Sequence, residues 1–150
     1  IYVADTGGRR LIKLDASGAV AGTFGSRGGG RGGLDQPTGV AIASDGGPIA
    51  LDASQGKMVH FAPSGGVEAE WLVDSSITVH GPQLAVGADG TLYATDPKAG
   101  TITRYSHDGV AQAIFTTSGG LLGASGIALG DGYAIVSLPG AHTVVKLPLR

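Results

Sequence analysis

Apolar positions along the chain come in runs of four to six residues, rich in Val, Ile, Leu and Tyr, and broken by Gly, Asp and Ser. No stretch holds a helical period for three turns, so the pattern predicts short strands joined by turns. One phrase organises it. Ile1–Asp5 is an apolar run ending in Asp, followed by a Gly turn, then the apolar Leu11–Leu14 and the polar Asp15–Gly18. The phrase returns at Pro48–Asp52 with Lys57–Phe61, at Leu92–Asp96 with Thr101–Tyr105, and at Tyr133–Ser137 with Thr143–Leu147. The period drifts through the forties, which marks one supersecondary unit copied several times.

Each full copy holds four runs. In the second they are Gly39–Ala43, Ile49–Leu51, Met58–Phe61 and Val67–Leu72. Asp45–Gly46 and Asp89–Gly90 sit where the first run turns into the second, and Asp-Gly favours a tight hairpin. Four antiparallel strands in a unit of this length form a β-propeller blade. With strands lettered a to d outward from the axis, the chain reads bcd, abcd, abcd, abc. The predicted fold is all-β, with about three and a half blades over residues 1–37, 38–81, 82–124 and 125–150. Val3, Val40, Ile42, Ile49, Val59, Leu84, Val86, Leu92, Ile102, Ile127 and Val144 are expected to be buried between blades.

Two motifs carry a family resemblance. Tyr2-Val-Ala-Asp5-Thr-Gly-Gly-Arg-Arg10-Leu-Ile-Lys-Leu14 resembles the NHL repeat. So does Gly22-Thr-Phe-Gly25 with the Gly-rich 26–33 and Leu34-Asp-Gln-Pro37-Thr-Gly-Val-Ala-Ile42 after it. The likeness is strong over 1–61, good over 84–109 and degenerate over 126–147, where Ser137 replaces the Asp and Leu138–His142 lengthens a turn. It implies a ring of six blades or so, which this segment does not close alone. Further blades of the same polypeptide, or partner chains, are expected to complete it. The resemblance also implies two functions. One is a non-catalytic scaffold that binds another protein. The alternative is a metal-dependent lyase acting on streptogramin lactones or on peptidyl-hydroxyglycine.

Composition narrows the field. Charged residues are only 15% and hydrophobic ones 42%, which suits a folded core over a disordered chain. Net charge is −2, without the basic field that a nucleic-acid backbone requires. There is no Cys, so disulfides and thiolate metal sites are excluded. The compartment stays open, with an extracytoplasmic or secreted setting favoured. No apolar run approaches the length of a membrane-spanning helix.

Alternating strands send the b–c and d–a connections to one side and the a–b and c–d turns to the other. The first side carries the long loops, where binding usually sits. Six of the ten Lys and Arg residues fall there: Arg9, Arg10, Arg27, Arg31, Lys57 and Lys98. With His80, these form the expected binding face. Asp5, Asp52 and Asp96 recur at the same place in three of the four blade segments, which points to shaping of the Gly turns by accepting backbone N–H groups. Arg10 and Lys57 are placed to pair with Asp5 and Asp52. Gly25–Gly33 with Arg27 and Arg31 reads either as an anion cradle or as a flexible connector. His60 and His107 read as polar surface residues. His80 and His142 are the only candidates for lyase chemistry, and no catalytic, metal or cofactor residue is assigned.

Overall fold

The computed structural model describes residues 1–74 and 81–149. The chain divides into two compact units, Ile1–Val73 and Asp74–Arg150. The chain is 52% strand, and the described residues contain no α-helix.

In the first unit, β1 (Tyr2–Asp5), β2 (Arg10–Leu14) and β3 (Val20–Phe24) form an antiparallel sheet. A short parallel pair follows, β4 (Ser26–Arg27) with β5 (Gly33–Leu34). Then β6 (Pro37–Ile42), β7 (Pro48–Asp52), β8 (Lys57–Phe61) and β9 (Val67–Leu72) make a four-stranded antiparallel meander. Leu11, Phe24, Leu34, Ala50, Val59 and Phe61 form the core between the two larger sheets, with Tyr2, Ala4, Val40 and Val67 packed against it. Phe24 bridges its aromatic neighbours, 5.6 Å from Tyr2 and 5.9 Å from Phe61 between centroids.

The second unit repeats the plan. β10 (Leu84–Val86), β11 (Leu92–Asp96), β12 (Thr101–Tyr105) and β13 (Ala111–Phe115) form one meander. β14 (Ile127–Gly130), β15 (Tyr133–Leu138) and β16 (Thr143–Pro148) form a three-stranded sheet, with one 3-10 turn at Pro139–Ala141. Leu121, Ala124, Ile102, Val136 and Leu147 are buried in its core. Without the β4–β5 pair, the strands read bcd, abcd, abcd, abc. The copies share fine detail: the c–d pairing shifts register at Lys13/Leu14, at His60/Phe61 and at Arg104/Tyr105.

Five of the expected core residues, Ile49, Val59, Leu84, Leu92 and Ile102, are buried. Val40, Val86 and Ile127 are half-buried, whereas Val3, Ile42 and Val144 are exposed. Strand period two explains Val3 and Val144. Tyr2 and Ala4 face the core of the first unit and leave Val3 on the opposite face. Val145 and Leu147 take the core side of β16 and leave Val144 outward. Ile42 is the last residue of β6, paired with Pro48 where the hairpin opens to solvent.

Candidate functional site

The repeated Asp residues build the b–c turns. Asp5 accepts the Gly8 N–H at 2.9 Å through Oδ1 and Arg10 Nε–H at 2.9 Å through Oδ2. A Cβ at Gly8 would lie 2.1 Å from Asp5 Oδ2, so a larger residue there would displace the Asp5 carboxylate from this position. The Gly8 bond, then the Arg10 bond, hold the Asp5 carboxyl below its ordinary range. Asp96 accepts the N–H groups of Lys98 and Ala99, each at 3.0 Å.

Asp52 does more. It is fully buried and accepts N–H bonds from Asp35 (2.6 Å), Gln36, Ser54 and Gln55, with the Ser54 hydroxyl and Gln55 Nε2 added. Burial pushes its carboxyl up, but those donors outweigh it and the net direction is down. The carboxylate thus ties the d–a connector to the b–c turn of its own blade. Blades three and four use neutral oxygens for the corresponding tie. Thr95 Oγ1 accepts the Gln83 N–H at 2.8 Å, and Ser137 Oγ accepts the Gly126 N–H at 2.8 Å.

The Gly-rich connector is held by internal bonds at several points. The Gly32 N–H donates to Glu70 Oε2 at 2.8 Å, and Arg31 Nη2 donates to the carbonyls of Val67 and Glu68. Gly33 N–H reaches the Gly30 carbonyl at 2.8 Å. The Gly32 N–H is thus taken by an internal carboxylate, Glu70. Lys57 pairs with the same carboxylate, with Nζ 3.0 Å from Glu70 Oε1.

The proposed contact residues therefore differ in status. Lys57 is only 3% exposed and pairs with Glu70, not with Asp52 as expected. The reason is strand pairing: Val59 lies opposite Glu70 across β8 and β9, so Glu70 approaches Lys57 from the neighbouring strand. Arg31 is occupied with β9 backbone. Arg9 adopts φ 56° and pairs with Asp35 at 2.7 Å, and Arg10 pairs with Asp5 as expected. Arg27 is exposed and makes no ion pair or hydrogen bond among the described residues. Lys98, in the second unit, is exposed. His80 lies outside the described residues. His142 is exposed at φ 51°, and His60 Nε2 sits 3.2 Å from Asp45 Oδ1. Among the described residues no three His, Asp or Glu side chains gather as a metal site.

Sequence reasoning placed Asp35 on the long-loop face and Glu70 on the edge strand, but did not foresee their contacts and did not single out Ser54. Ser54 Oγ bridges Asp35 Oδ2 at 2.8 Å and Asp52 Oδ1 at 3.0 Å, so Arg9, Asp35, Ser54 and Asp52 form one chain of polar contacts. The missed signal was the Asp directly before Gln36-Pro37, which enters strand a beside the b–c turn.

Three solved structures share this architecture. A catalytically inactive virginiamycin B lyase from Staphylococcus aureus, with quinupristin, matches at 16% identity and TM-score 0.71, over 99% of this chain and 52% of its own. A streptogramin B lyase matches at 14% and 0.70, over 97% and 49%. Hydrazine synthase of Kuenenia stuttgartiensis matches at 15% and 0.62, over 98% and 45%. The chain thus spans about half the length of the solved structures it matches. No protein-family model matches the chain, and no curated protein does. Identities this low establish architecture alone. The chain is a set of antiparallel β-propeller blade segments, two of them four-stranded and two three-stranded among the described residues.

Proposed function

We propose that this chain is part of an NHL-type propeller that binds another protein through its b–c and d–a loops. In this reading residues 1–37, 38–81, 82–124 and 125–150 are successive blade segments of a larger ring. The observation that carries it is the pinned connector of the first unit. Asp52, Glu70 and Arg31 bond to the loop or fasten it to β9, and Arg27 stands on it exposed and without a polar side-chain partner. A preorganised loop loses little entropy on association. An Arg on such a loop offers a planar fork for carboxylates or backbone carbonyls of a partner. Arg9 and Arg10 border it as half of exposed ion pairs, and Lys98 offers the corresponding loop of the second unit. Lys57 is excluded from the contact set by burial, and Arg31 acts by shaping the loop.

The second reading, a lyase, is favoured by one observation: two of the structures sharing the architecture are streptogramin lyases. His142 is the described residue that this reading would use. The experiment compares the full-length protein with its Arg27→Glu/Lys98→Glu variant in partner capture, alongside a streptogramin-cleavage assay. Capture is expected to fall with the melting temperature unmoved, and no cleavage is expected. Unchanged capture removes these loops as the binding surface. Cleavage that is lost in His142→Ala replaces the scaffold reading with the lyase.

A further inference from the structure

The second unit contains a cavity of about 640 Å³ between its two sheets, on the side of the short a–b turns. Val86, Leu129 and Leu149 supply apolar wall, and Asp89, Asp131 and Tyr93 supply the polar groups. It is distinct from the long-loop surface, and the argument for it does not depend on that reading.

The first unit shows why the space exists. Tyr2 and Tyr93 hold the same place in their blades. Each lies opposite a cation across the b–c ladder, Lys13 or Arg104, and each packs on a strand-d Phe, Phe24 or Phe115. Tyr2 Oη reaches the Gly46 carbonyl at 3.5 Å, in the turn between β6 and β7. That turn runs from Ile42 to Pro48 and projects far enough to meet the ring. The corresponding turn in the second unit is cut to Asp131–Gly132, because Gly130 already pairs with Tyr133. Its Gly132 carbonyl is taken by the Leu149 N–H at 3.0 Å. Tyr93 is 9% exposed and lines the cavity, and its hydroxyl makes no hydrogen bond among the described residues. The hydroxyl is not sealed off, so a ligand in the cavity can reach it and bond to it.

The charge of the wall selects the ligand. Asp89 is fixed by the Thr91 N–H at 3.0 Å, and Asp131 is exposed at the rim. No cationic side chain lines the cavity, although Arg104, across the ladder from Tyr93, acts on Asp89, so Asp131 is the less compensated carboxylate. We propose that this inter-blade cavity binds a small amphipathic amine, with its ammonium between the carboxylates of Asp131 and Asp89 and the Tyr93 hydroxyl, and its hydrocarbon against Val86, Leu129 and Leu149. The ammonium donates to all three oxygens, and charge-assisted bonds to the two carboxylates are the strong ones. The aliphatic part displaces water from apolar wall.

The test is calorimetric titration of the full chain with hexylamine, hexanol and hexanoate at neutral pH. Hexylamine is expected to saturate, hexanol to bind about ten-fold more weakly, and hexanoate not to bind. Asp131→Asn is expected to weaken hexylamine about ten-fold without lowering the melting temperature, since Asp131 makes no internal bond. Tyr93→Phe keeps the packing and is expected to weaken hexylamine severalfold, whereas Tyr2→Phe leaves it unchanged. Equal affinity for hexanol and hexylamine overturns the amine assignment. Full affinity in Asp131→Asn, or no saturation by any probe, overturns the site.

Discussion

The backbone N–H of Asp35 donates to Oδ2 of Asp52 at 2.6 Å, joining residues seventeen apart through a carboxylate with no exposed surface. The bond decides how the connector enters the second blade. Asp52→Ala would leave the N–H groups of Asp35, Gln36, Ser54 and Gln55 without their acceptor. A single buried unsatisfied donor costs about 1–3 kcal/mol, and four in one network are not additive, so a loss of about 3–5 kcal/mol is expected. Asp52→Asn keeps one acceptor oxygen and should lose less. Urea denaturation of the full chain distinguishes the two, and equal stability of Asp52→Ala and wild type would refute the role.

The same carboxylate sets an acid dependence. Its folded pKa lies below the unfolded value of 3.8, so the folded state binds fewer protons than the unfolded state in the interval between them. Stability is therefore fully present above 3.8 and lost as pH falls through the lower folded value. Asp5, Asp45 and Glu70 are shifted the same way and add to the trend. The urea midpoint is expected to be flat from neutral pH down to about 5 and to fall steeply below about 4. Asp52→Asn should show a shallower fall from a lower plateau. An identical slope in that variant would show that Asp52 does not contribute.

Lys57 and Glu70 form an ion pair of unequal burial, with Lys57 nearly enclosed and Glu70 about a quarter exposed. Removing one partner leaves the other's charge uncompensated, which is worse than removing both. Glu70→Ala strands the Lys57 ammonium and also the Gly32 N–H, and is expected to cost about 3 kcal/mol. Glu70→Ala combined with Lys57→Met should recover part of that loss. A double-mutant cycle by thermal unfolding checks it, and additivity of the two changes would show that the pair is not coupled.

The strand order was legible because it is written locally. Apolar runs ending in Asp, and Asp-Gly turns between them, fix each hairpin without reference to distant residues. Sheet faces were harder to read. Val3 and Val40 are equally apolar, yet only Val40 has the core beside it, and that depends on which sheet stacks on which face. Lys57 read as a loop cation because it opens a strand, whereas its enclosure depends on Glu70 crossing from β9. The β4–β5 pairing is parallel and only two residues long, inside a Gly-rich stretch with no alternation to reveal it. The cavity beside Tyr93 arises from a shortened turn, a feature that becomes visible only when two blades are compared in space.

Two glycines of the connector separate a pinned loop from a loose one. Gly33 is buried, and a Cβ there would lie 2.1 Å from the Gly28 carbonyl oxygen and 2.9 Å from that of Gly30. Both obstacles are backbone, so relief requires moving the loop away from Glu70 and Leu34. Gly30 is exposed, has open space at its Cβ position, and is not among the positive-φ glycines. Gly33→Ala is expected to cost about 1–3 kcal/mol, the range for forcing extra volume into a packed site. Gly30→Ala is expected to be neutral or to stabilise by about 0.4–1 kcal/mol, through the unfolded chain. Amide exchange should follow the same division, with faster exchange at Gly32 and Gly33 in Gly33→Ala and none of that change in Gly30→Ala. A connector that tolerates both substitutions equally would be loose, and the rigid display of Arg27 would fall with it.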